Sequence, residues 1–408
     1  MKKNIILNQT QFIATVVFLI MTIFLSACRR DTDTTTPLIS CTDINSDVVW
    51  TDRGDGVDYI LNCVVSVNAK LTIDPGVTIQ VKSGGGIIVE TTGSFLAQGS
   101  SVENIIFKGE QDVAGVWKGI YIKSNNVLNE INYCQISNGG SSSFDGNLTK
   151  VASIRVALTA QLILQNSTIS KSGKDGLLVD GFDTDELNPI TLFANNSFVE
   201  NLNYPISALG AIATELDGDS STYVGNSKNK ILLRGGRLFG THNWKKMNVP
   251  YLIESVVSVG YYTNDGNLTL DPGVTVQFAA DAGLCTGDYS TGSWMRIEGS
   301  SPTNIITLTG ETASPGSWKG IAFQSLSVNN RISQTIVSYG GSSSYTGNTS
   351  QRGNIMAGAW SAGNFTIDNS NVTNSSGYGV YATLPSPAIT LPSSMFFSGN
   401  ASGNYYHE

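Results

Sequence analysis

The densest group of acidic side chains lies in the segment D-G-F-D-T-D-E, at positions 180–186. Asp180, Asp183 and Asp185 supply the carboxylate oxygens that Ca²⁺ prefers, although their spacing does not follow a defined calcium-binding loop. A solvated acidic loop would have the same composition, and we favour that interpretation. The sequence therefore leaves a calcium site open as the alternative at this segment.

Two pairs of aromatic residues recur at the same interval and could contact a ligand. Trp117 and Trp318 each begin the tetrapeptide W-K-G-I, and Phe144 and Tyr345 follow the matching segments G-G-S-S-S. An accessible tryptophan could stack on a sugar ring, but a tryptophan that packs over a turn is the interpretation we favour. The Gly/Ser-rich loops suit adaptable contacts, and Phe144 and Tyr345 are our first choice for a ligand-facing site, although we favour a permissive insertion between coils.

These recurring pairs belong to a tandem duplication. The phrase L-T-I-D-P-G-V-T-I-Q begins at Leu71 and returns at Leu268 as L-T-L-D-P-G-V-T-V-Q. The matching segments before and after it keep their order, and such internal repetition is typical of repeat architectures. We predict a first copy at residues 47–240 and a second copy at residues 241–408, continuous with the first.

Within each copy the sequence predicts short β-strands. Alternating apolar and polar runs of about three to six residues are separated by Gly, Asn and Ser, without a helical period. The runs recur about every 20–25 residues, which is a solenoid period. In the phrase at Leu71, Pro presets φ and Gly supplies the positive φ of a type II turn. We interpret this turn as a corner of one coil, with its two runs on different faces.

The order of these features resembles the right-handed parallel β-helix, the fold of the pectate lyases. The resemblance covers Val48 to the C-terminus and is carried by the W-x-G-I step, the G-G step and the N-S-x-I/V step, seen for instance at Trp117, Gly139 and Asn166. It implies an all-β, single-stranded solenoid whose coils stack at about 4.8 Å.

The same resemblance raises the question of catalysis. Hydrolysis of a glycosidic bond needs paired carboxylates, and elimination needs a base beside a bound uronate. The chain has two histidines, His242 and His407, and we find no ordered set of catalytic residues around them. We therefore expect a non-catalytic scaffold that binds glycans or proteins or serves in adhesion. A polysaccharide lyase or glycoside hydrolase of the β-helix type is the alternative.

The N-terminus indicates export and lipid attachment. A basic start precedes the apolar run 12–24, which reads as a signal peptide at residues 1–27. The run ends in L-S-A-C at Cys28, and this tetrapeptide resembles the lipobox of bacterial lipoproteins. That resemblance implies a lipidated Cys28. Arg29 in place of an aspartate implies the outer membrane, facing either the periplasm or the cell exterior.

The remaining predictions concern the tether and the partners. Residues 28–46 are polar and without periodicity, so we expect a flexible tether. Cys41 and Cys63 could form a disulfide in an exported protein. The formal net charge of -8 argues against nucleic acid as a partner. We expect a monomer that is anchored through its lipid and binds polysaccharide or another surface protein, with no cofactor unless calcium is bound.

Overall fold

The computed structural model describes residues 38–54, 56–181, 188–287 and 292–408. The predicted signal peptide, Cys28, most of the predicted tether, Asp183 and Asp185 lie outside these residues. Within the described part of the chain no helix is long and apolar enough to cross a membrane. The chain is all-β, and its strands pair in parallel in five sheets that wind as a right-handed parallel β-helix, as the sequence predicts.

The first copy contributes two sheets of its own, with strands numbered in chain order. Sheet I contains β1 (Leu38–Ser40), β3 (Tyr59–Leu61), β6 (Thr78–Val81), β9 (Ile105–Gly109), β12 (Cys134–Ser137), β15 (Thr168–Ser170) and β18 (Ser197–Val199). Sheet III contains β2 (Val48–Trp50), β5 (Lys70–Ile73), β8 (Ser94–Gln98), β11 (Glu130–Asn132), β14 (Leu162–Gln165) and β17 (Ile190–Ala194).

Sheet II contains strands from both copies. Its members are β4 (Val64–Val67), β7 (Gly86–Val89), β10 (Ile120–Ile122), β13 (Ala152–Val156), β16 (Asp175–Val179), β19 (Ile206–Ala208), β20 (Ile231–Leu233), β23 (Tyr251–Ile253), β26 (Thr275–Phe278), β29 (Ile306–Gly310), β32 (Thr335–Ser338), β35 (Asn371–Thr373) and β37 (Phe396–Ser398).

Two further sheets begin at the end of the first copy and continue through the second. Sheet IV contains β21 (Gly236–Leu238), β24 (Val256–Val259), β27 (Gly283–Thr286), β30 (Gly320–Phe323), β33 (Gly353–Ala357), β36 (Tyr378–Ala382) and β38 (Gly403–His407). Sheet V contains β22 (Gly240–Trp244), β25 (Gly266–Leu270), β28 (Trp294–Glu298), β31 (Arg331–Ser333) and β34 (Thr366–Asp368).

Strand alternation places one apolar row of each strand inside the coil. In β5, Leu71 and Ile73 are buried, while Lys70 and Thr72, which alternate with them, are only partly covered. Leu71 is in register with Phe95 of the next coil, which is also buried. Repetition of this arrangement from coil to coil gives one apolar core along the rod. The alternation of apolar and polar residues in the sequence therefore places every second side chain in a continuous interior.

The repeated phrase forms a corner of the coil in both copies. Its first run lies in β5 of sheet III and its second run in β6 of sheet I. Gly76 between them has φ of 86°, and Gly273 in the second copy has φ of 85°. A side chain is disfavoured at such a φ, so glycine is the suitable residue at this bend. The interpretation of the phrase as a solenoid corner is confirmed.

The two copies occupy different faces of the rod. The strand β3 lies in sheet I, but its sequence counterpart β23 lies in sheet II. Likewise β4 lies in sheet II and its counterpart β24 in sheet IV, while β5 lies in sheet III and its counterpart β25 in sheet V. Equivalent surfaces of the two copies therefore point in different directions around the rod axis.

This change of face occurs at the junction between the copies. A 3₁₀ helix at Gly210–Thr214 replaces a strand of the regular coil there. The indole Nε1 of Trp244 in β22 donates a hydrogen bond to the Gly210 carbonyl oxygen at 3.0 Å, which ties the helix to the second copy. Among the described residues, sheet II alone has strands on both sides of the junction, because β19 pairs directly with β20.

The fold begins earlier than the sequence indicates. Strand β1 pairs with β3, and Ile44 is buried and bridges to Val67. Cys41 and Cys63 form the expected disulfide, with their Cα atoms 5.6 Å apart. Residues 38–46 therefore belong to the first coil, although their polar composition suggested a flexible tether. The error arises because a terminal strand needs few apolar residues when a disulfide and a sheet edge hold it.

Candidate functional site

The loop that carries Phe144 or Tyr345 folds back over the outer surface of the rod. Phe144 lies against Gly86 of β7, where an added Cβ would come within 3.0 Å of its ring. Tyr345 donates its hydroxyl hydrogen to the carbonyl oxygen of Gly320 at 2.7 Å, and Gly283 leaves room for that hydroxyl group. Both rings are half-buried. Each loop is therefore pinned to a glycine-lined part of a sheet, and only part of each ring is available to a ligand.

The two tryptophans of the W-K-G-I step do not reach the surface. Trp117 and Trp318 are fully buried, and each donates its indole Nε1 hydrogen to a backbone carbonyl oxygen at 2.8 Å, of Ser137 and Ser338 respectively. A sugar ring has no access to either indole face. Sugar stacking, the alternative considered for Trp117 and Trp318, is therefore wrong, and the favoured structural interpretation agrees with their burial and their indole hydrogen bonds.

A charged cluster lies on the outer face of sheet II in the first copy. The guanidinium group of Arg155 is buried and contacts Asp180 Oδ2 at 2.9 Å and Asp145 Oδ2 at 2.7 Å. It also lies 4.2 Å from the ring centroid of Tyr121, whose hydroxyl donates to Asp180 at 3.3 Å. Lys150 Nζ is 3.5 Å from the other oxygen of Asp180. We refer to these five residues as the Arg155 cluster.

The environment of the cluster favours its ionic state. Burial opposes the positive charge of Arg155, but hydrogen bonds to Asp145 and Asp180 outweigh it and raise its pKa. The hydrogen bond from Arg155 lowers the pKa of Asp145. Burial, helped by the charge of Asp180, raises the pKa of Tyr121 to about 12. The cluster is therefore a compact ion network that ties the loop at Asp145 to the sheet.

Asp180 is the described member of the predicted calcium trio. Its carboxylate is already neutralised by Arg155 and Lys150. Among the residues that the structure describes, no group of three His, Cys, Asp or Glu side chains could hold a metal ion. Since Asp183 and Asp185 lie outside those residues, calcium binding at this segment stays a prediction.

The equivalent face in the second copy is apolar. Ala322 occupies the position of Tyr121, and Met356 occupies that of Arg155. Both are buried in one cluster with Cys285 and Tyr381, on sheet IV. The same duplicated surface therefore carries ions in one copy and an apolar layer in the other.

A groove of about 240 Å³ runs over this apolar layer, and we refer to it as the aromatic groove. One wall is Trp360, which is 56% exposed, and another is Tyr261. The guanidinium carbon of Arg237 lies 3.8 Å from the ring centroid of Tyr261, a cation–π contact. The remaining lining residues are Gly236, Val256, Ser258, Cys285, Gln324 and Tyr345.

A second and larger space, of about 470 Å³, lies beside the Arg155 cluster at the junction of the copies. We refer to it as the junction cleft. Asp175 of β16 lines it and is buried, and its Oδ1 accepts hydrogen bonds from Asn203 Nδ2 at 2.7 Å and from the Tyr204 backbone nitrogen at 3.2 Å. Burial raises the pKa of Asp175 to about 6 in spite of these bonds.

The structure thus brings together residues that the sequence did not connect. Tyr345 lines the aromatic groove, whereas Trp360, Tyr261 and Arg237 in the same groove carry no motif. A comparison of the aligned copies could have found Arg155, because an apolar residue, Met356, occupies the matching position of the second copy. No family model, curated protein or solved structure matches this chain.

Proposed function

We propose that this chain is a lipid-anchored outer-membrane protein whose β-helix binds glycans without cleaving them, facing either the periplasm or the cell exterior. The observation that carries the proposal is the aromatic groove, in which the exposed Trp360 stands beside Tyr261 and Arg237. Aromatic side chains combine an apolar face with a polar edge, and both features suit the C–H faces and hydroxyl groups of a sugar.

The polar groups of the groove fit the same ligand class. Arg237 donates hydrogen bonds only, and Ser258 lies in the lining as a group that can both donate and accept. A groove of about 240 Å³ is smaller than the usual enclosed pocket for a small molecule. It therefore suits part of an extended chain that continues over the rod surface.

The proposed lipid anchor and outer-membrane localisation rest on the sequence L-S-A-C at Cys28 and on the apolar run before it. Metabolic labelling with a fatty-acid probe tests it, since the wild-type chain should incorporate label and a Cys28→Ala chain should not. Protease treatment of intact cells then distinguishes the two faces of the outer membrane. Label in the Cys28→Ala chain would contradict the anchor.

Glycan binding is tested with the mature lipidated chain in detergent, first on a glycan array and then by calorimetry with the best neutral oligosaccharide. Trp360→Ala should weaken binding by at least about tenfold, because a central aromatic anchor contributes much of the affinity of such a site. Trp294→Ala is the matched control, since Trp294 also lies beside an arginine, Arg296, but on sheet V. Equal affinities of Trp360→Ala and Trp294→Ala for the oligosaccharide would contradict the proposal. Binding of another surface protein, with no binding of any glycan, would contradict it as well.

A second candidate function is polysaccharide cleavage, and Asp175 is the observation that favours it. A buried carboxyl group with a pKa of about 6 could act as a general acid or base near neutral pH. New reducing ends or unsaturated uronate products from a polysaccharide screen, lost in Asp175→Asn, would support this candidate. Products that persist in Asp175→Asn but disappear in Asp183→Ala would place catalysis at the acidic segment instead.

A further inference from the structure

The junction cleft contains an arginine that lacks the partners such a group normally has. Arg234 follows β20 near the end of the first copy, and its Nη2 donates to the carbonyl oxygen of Val179. Its Nε is buried and has no hydrogen-bond partner within the described chain. Nor does any carboxylate described in the structure form an ion pair with it. Burial lowers the pKa of Arg234, even though the nearby charges of Asp180 and Asp175 oppose that shift.

The contrast with Arg155 shows what is missing. Arg155 is more completely buried than Arg234, yet two carboxylates approach its guanidinium group within 3 Å. Withdrawing a guanidinium group from water without a paired anion is unfavourable, so an unpaired one at the wall of a cleft favours an anionic ligand. The position of Arg234 in that wall makes such pairing accessible from outside.

Two lysines extend the positive potential towards the mouth of the cleft. Lys174 and Lys228 are exposed and line it, and Lys228 Nζ lies 4.5 Å from the ring centroid of Tyr204. Asp175 and Glu254 also line the cleft, so three cationic groups face two carboxylates. This balance suits one compact anionic group on an otherwise neutral carrier. A polyanion such as nucleic acid would meet the acidic chain as a whole, whose formal charge is -8.

We propose that the junction cleft binds an anionic substituent of a glycan, a carboxylate or a sulfate group, with Arg234 at its base and Lys174 and Lys228 at its rim. The planar guanidinium fork matches the geometry of either oxyanion. Leu148 in the lining is exposed and offers apolar surface to the sugar that carries the group. That the carrier is a glycan rests on the proposed function, while the anion site itself rests on Arg234 and its surroundings.

The experiment is calorimetry on the full mature chain with three oligosaccharides of equal length, one neutral, one bearing glucuronate and one bearing sulfate. We expect the wild-type chain to bind at least one anionic probe more tightly than the neutral one, with an affinity that falls as salt rises. The carboxylated and sulfated probes distinguish the two sources of negative charge. Arg234→Gln and Lys228→Gln should each weaken the anionic probe by about tenfold.

Lys230→Gln is the matched control, because it removes one positive charge next to the cleft, where Lys230 pairs with Glu311 at 2.8 Å. It should leave the anionic probe unaffected. Lys228→Gln at the exposed rim keeps the test valid if Arg234→Gln fails to fold. Unchanged affinity in Lys228→Gln, or no preference of the wild-type chain for either anionic probe, would overturn the site. Loss of neutral binding in Trp360→Ala with the anionic preference intact would separate this site from the aromatic groove.

Discussion

The outer faces of sheet II and sheet IV come from the same part of the duplicated unit, yet they present opposite chemistry. The first copy fills its face with the Arg155 cluster, and the second copy covers the equivalent positions with Met356 and Ala322. The loop above each face is pinned differently as well, through Asp145 in one copy and through the hydroxyl group of Tyr345 in the other. An ion network in the first copy and an apolar face in the second thus hold equivalent loops against the solenoid.

The greatest loss of stability is expected when the charged face loses its central arginine. Arg155→Met should lower the free energy of unfolding by about 3–5 kcal/mol, because it leaves the buried carboxylate of Asp180 without its main partner. Urea denaturation measures the change. Arg331→Met is the control, since Arg331 also contacts two carboxylates but its side chain is 41% exposed, and its loss should cost about 1 kcal/mol or less. Similar losses in both variants would show that burial does not set the strength of the network.

A second variant converts the buried centre of the first-copy face to its second-copy counterpart and leaves Asp145 and Lys150 in place. The triple variant Tyr121→Ala, Arg155→Met and Asp180→Thr introduces the residues of the second copy and removes the buried Arg155–Asp180 pair as a unit. We expect it to recover most of the stability lost in Arg155→Met, to within about 1 kcal/mol of the wild type. A triple variant as unstable as the single one would mean that the surroundings of the two faces are not interchangeable.

An intermediate effect concerns pH. Asp175 has a folded-state pKa of about 6, above the value of about 3.9 for an unfolded chain. Between these values the folded state binds more protons, so the contribution of Asp175 is present below about pH 4 and is lost as pH rises through about 6. The loss amounts to about 2–3 kcal/mol.

Thermal or urea unfolding across this pH range measures the slope. Asp175→Asn should flatten it. The counterpart in the second copy is Tyr378, which has no carboxyl group, so Tyr378→Phe should leave the slope as in the wild type. A slope that survives in Asp175→Asn would assign the pH dependence to other groups.

The smallest effect is expected at the apolar face. Tyr345→Phe removes the hydrogen bond to the Gly320 carbonyl oxygen and should cost about 1 kcal/mol of unfolding free energy. Tyr406→Phe, at a 44% exposed tyrosine of the last strand, should change almost nothing. A loss of unfolding free energy larger than that in Arg155→Met would contradict the expectation that the ion network contributes more to stability than this hydrogen bond does.

The strands and the corners of the coil could be predicted from the sequence. Strict alternation in runs such as that at Leu71, together with the Pro-Gly turn, indicates both the strands and the corner between them. The change of face between the copies could not be predicted. The repeat specifies the strands of each coil, but the sheet that a strand joins depends on the 3₁₀ helix at Gly210–Thr214 and its surroundings, which have no second copy to compare.

The candidate sites were less accessible to sequence reasoning. Trp117 and Trp318 were weighed as ligand-stacking residues because aromatic residues at a repeated step suggest function, but repetition at a structural step reflects a shared core position. Trp360 and Arg234 occur once each, without a motif, and they meet their neighbours only after distant coils stack. Sites made by stacking combine residues whose separation in sequence has no regular period, so composition and spacing do not reveal them.

The junction also determines how the rod comes apart. In a solenoid, stability is close to a sum of nearest-neighbour couplings between coils. Along each copy, three sheets carry that coupling. At the junction, only sheet II continues within the described chain, through the pairing of β19 with β20. We therefore expect this junction to be the weakest coupling in the series and to divide the chain into two cooperative units. Limited proteolysis and hydrogen exchange should therefore report two melting blocks that meet near residues 209–235.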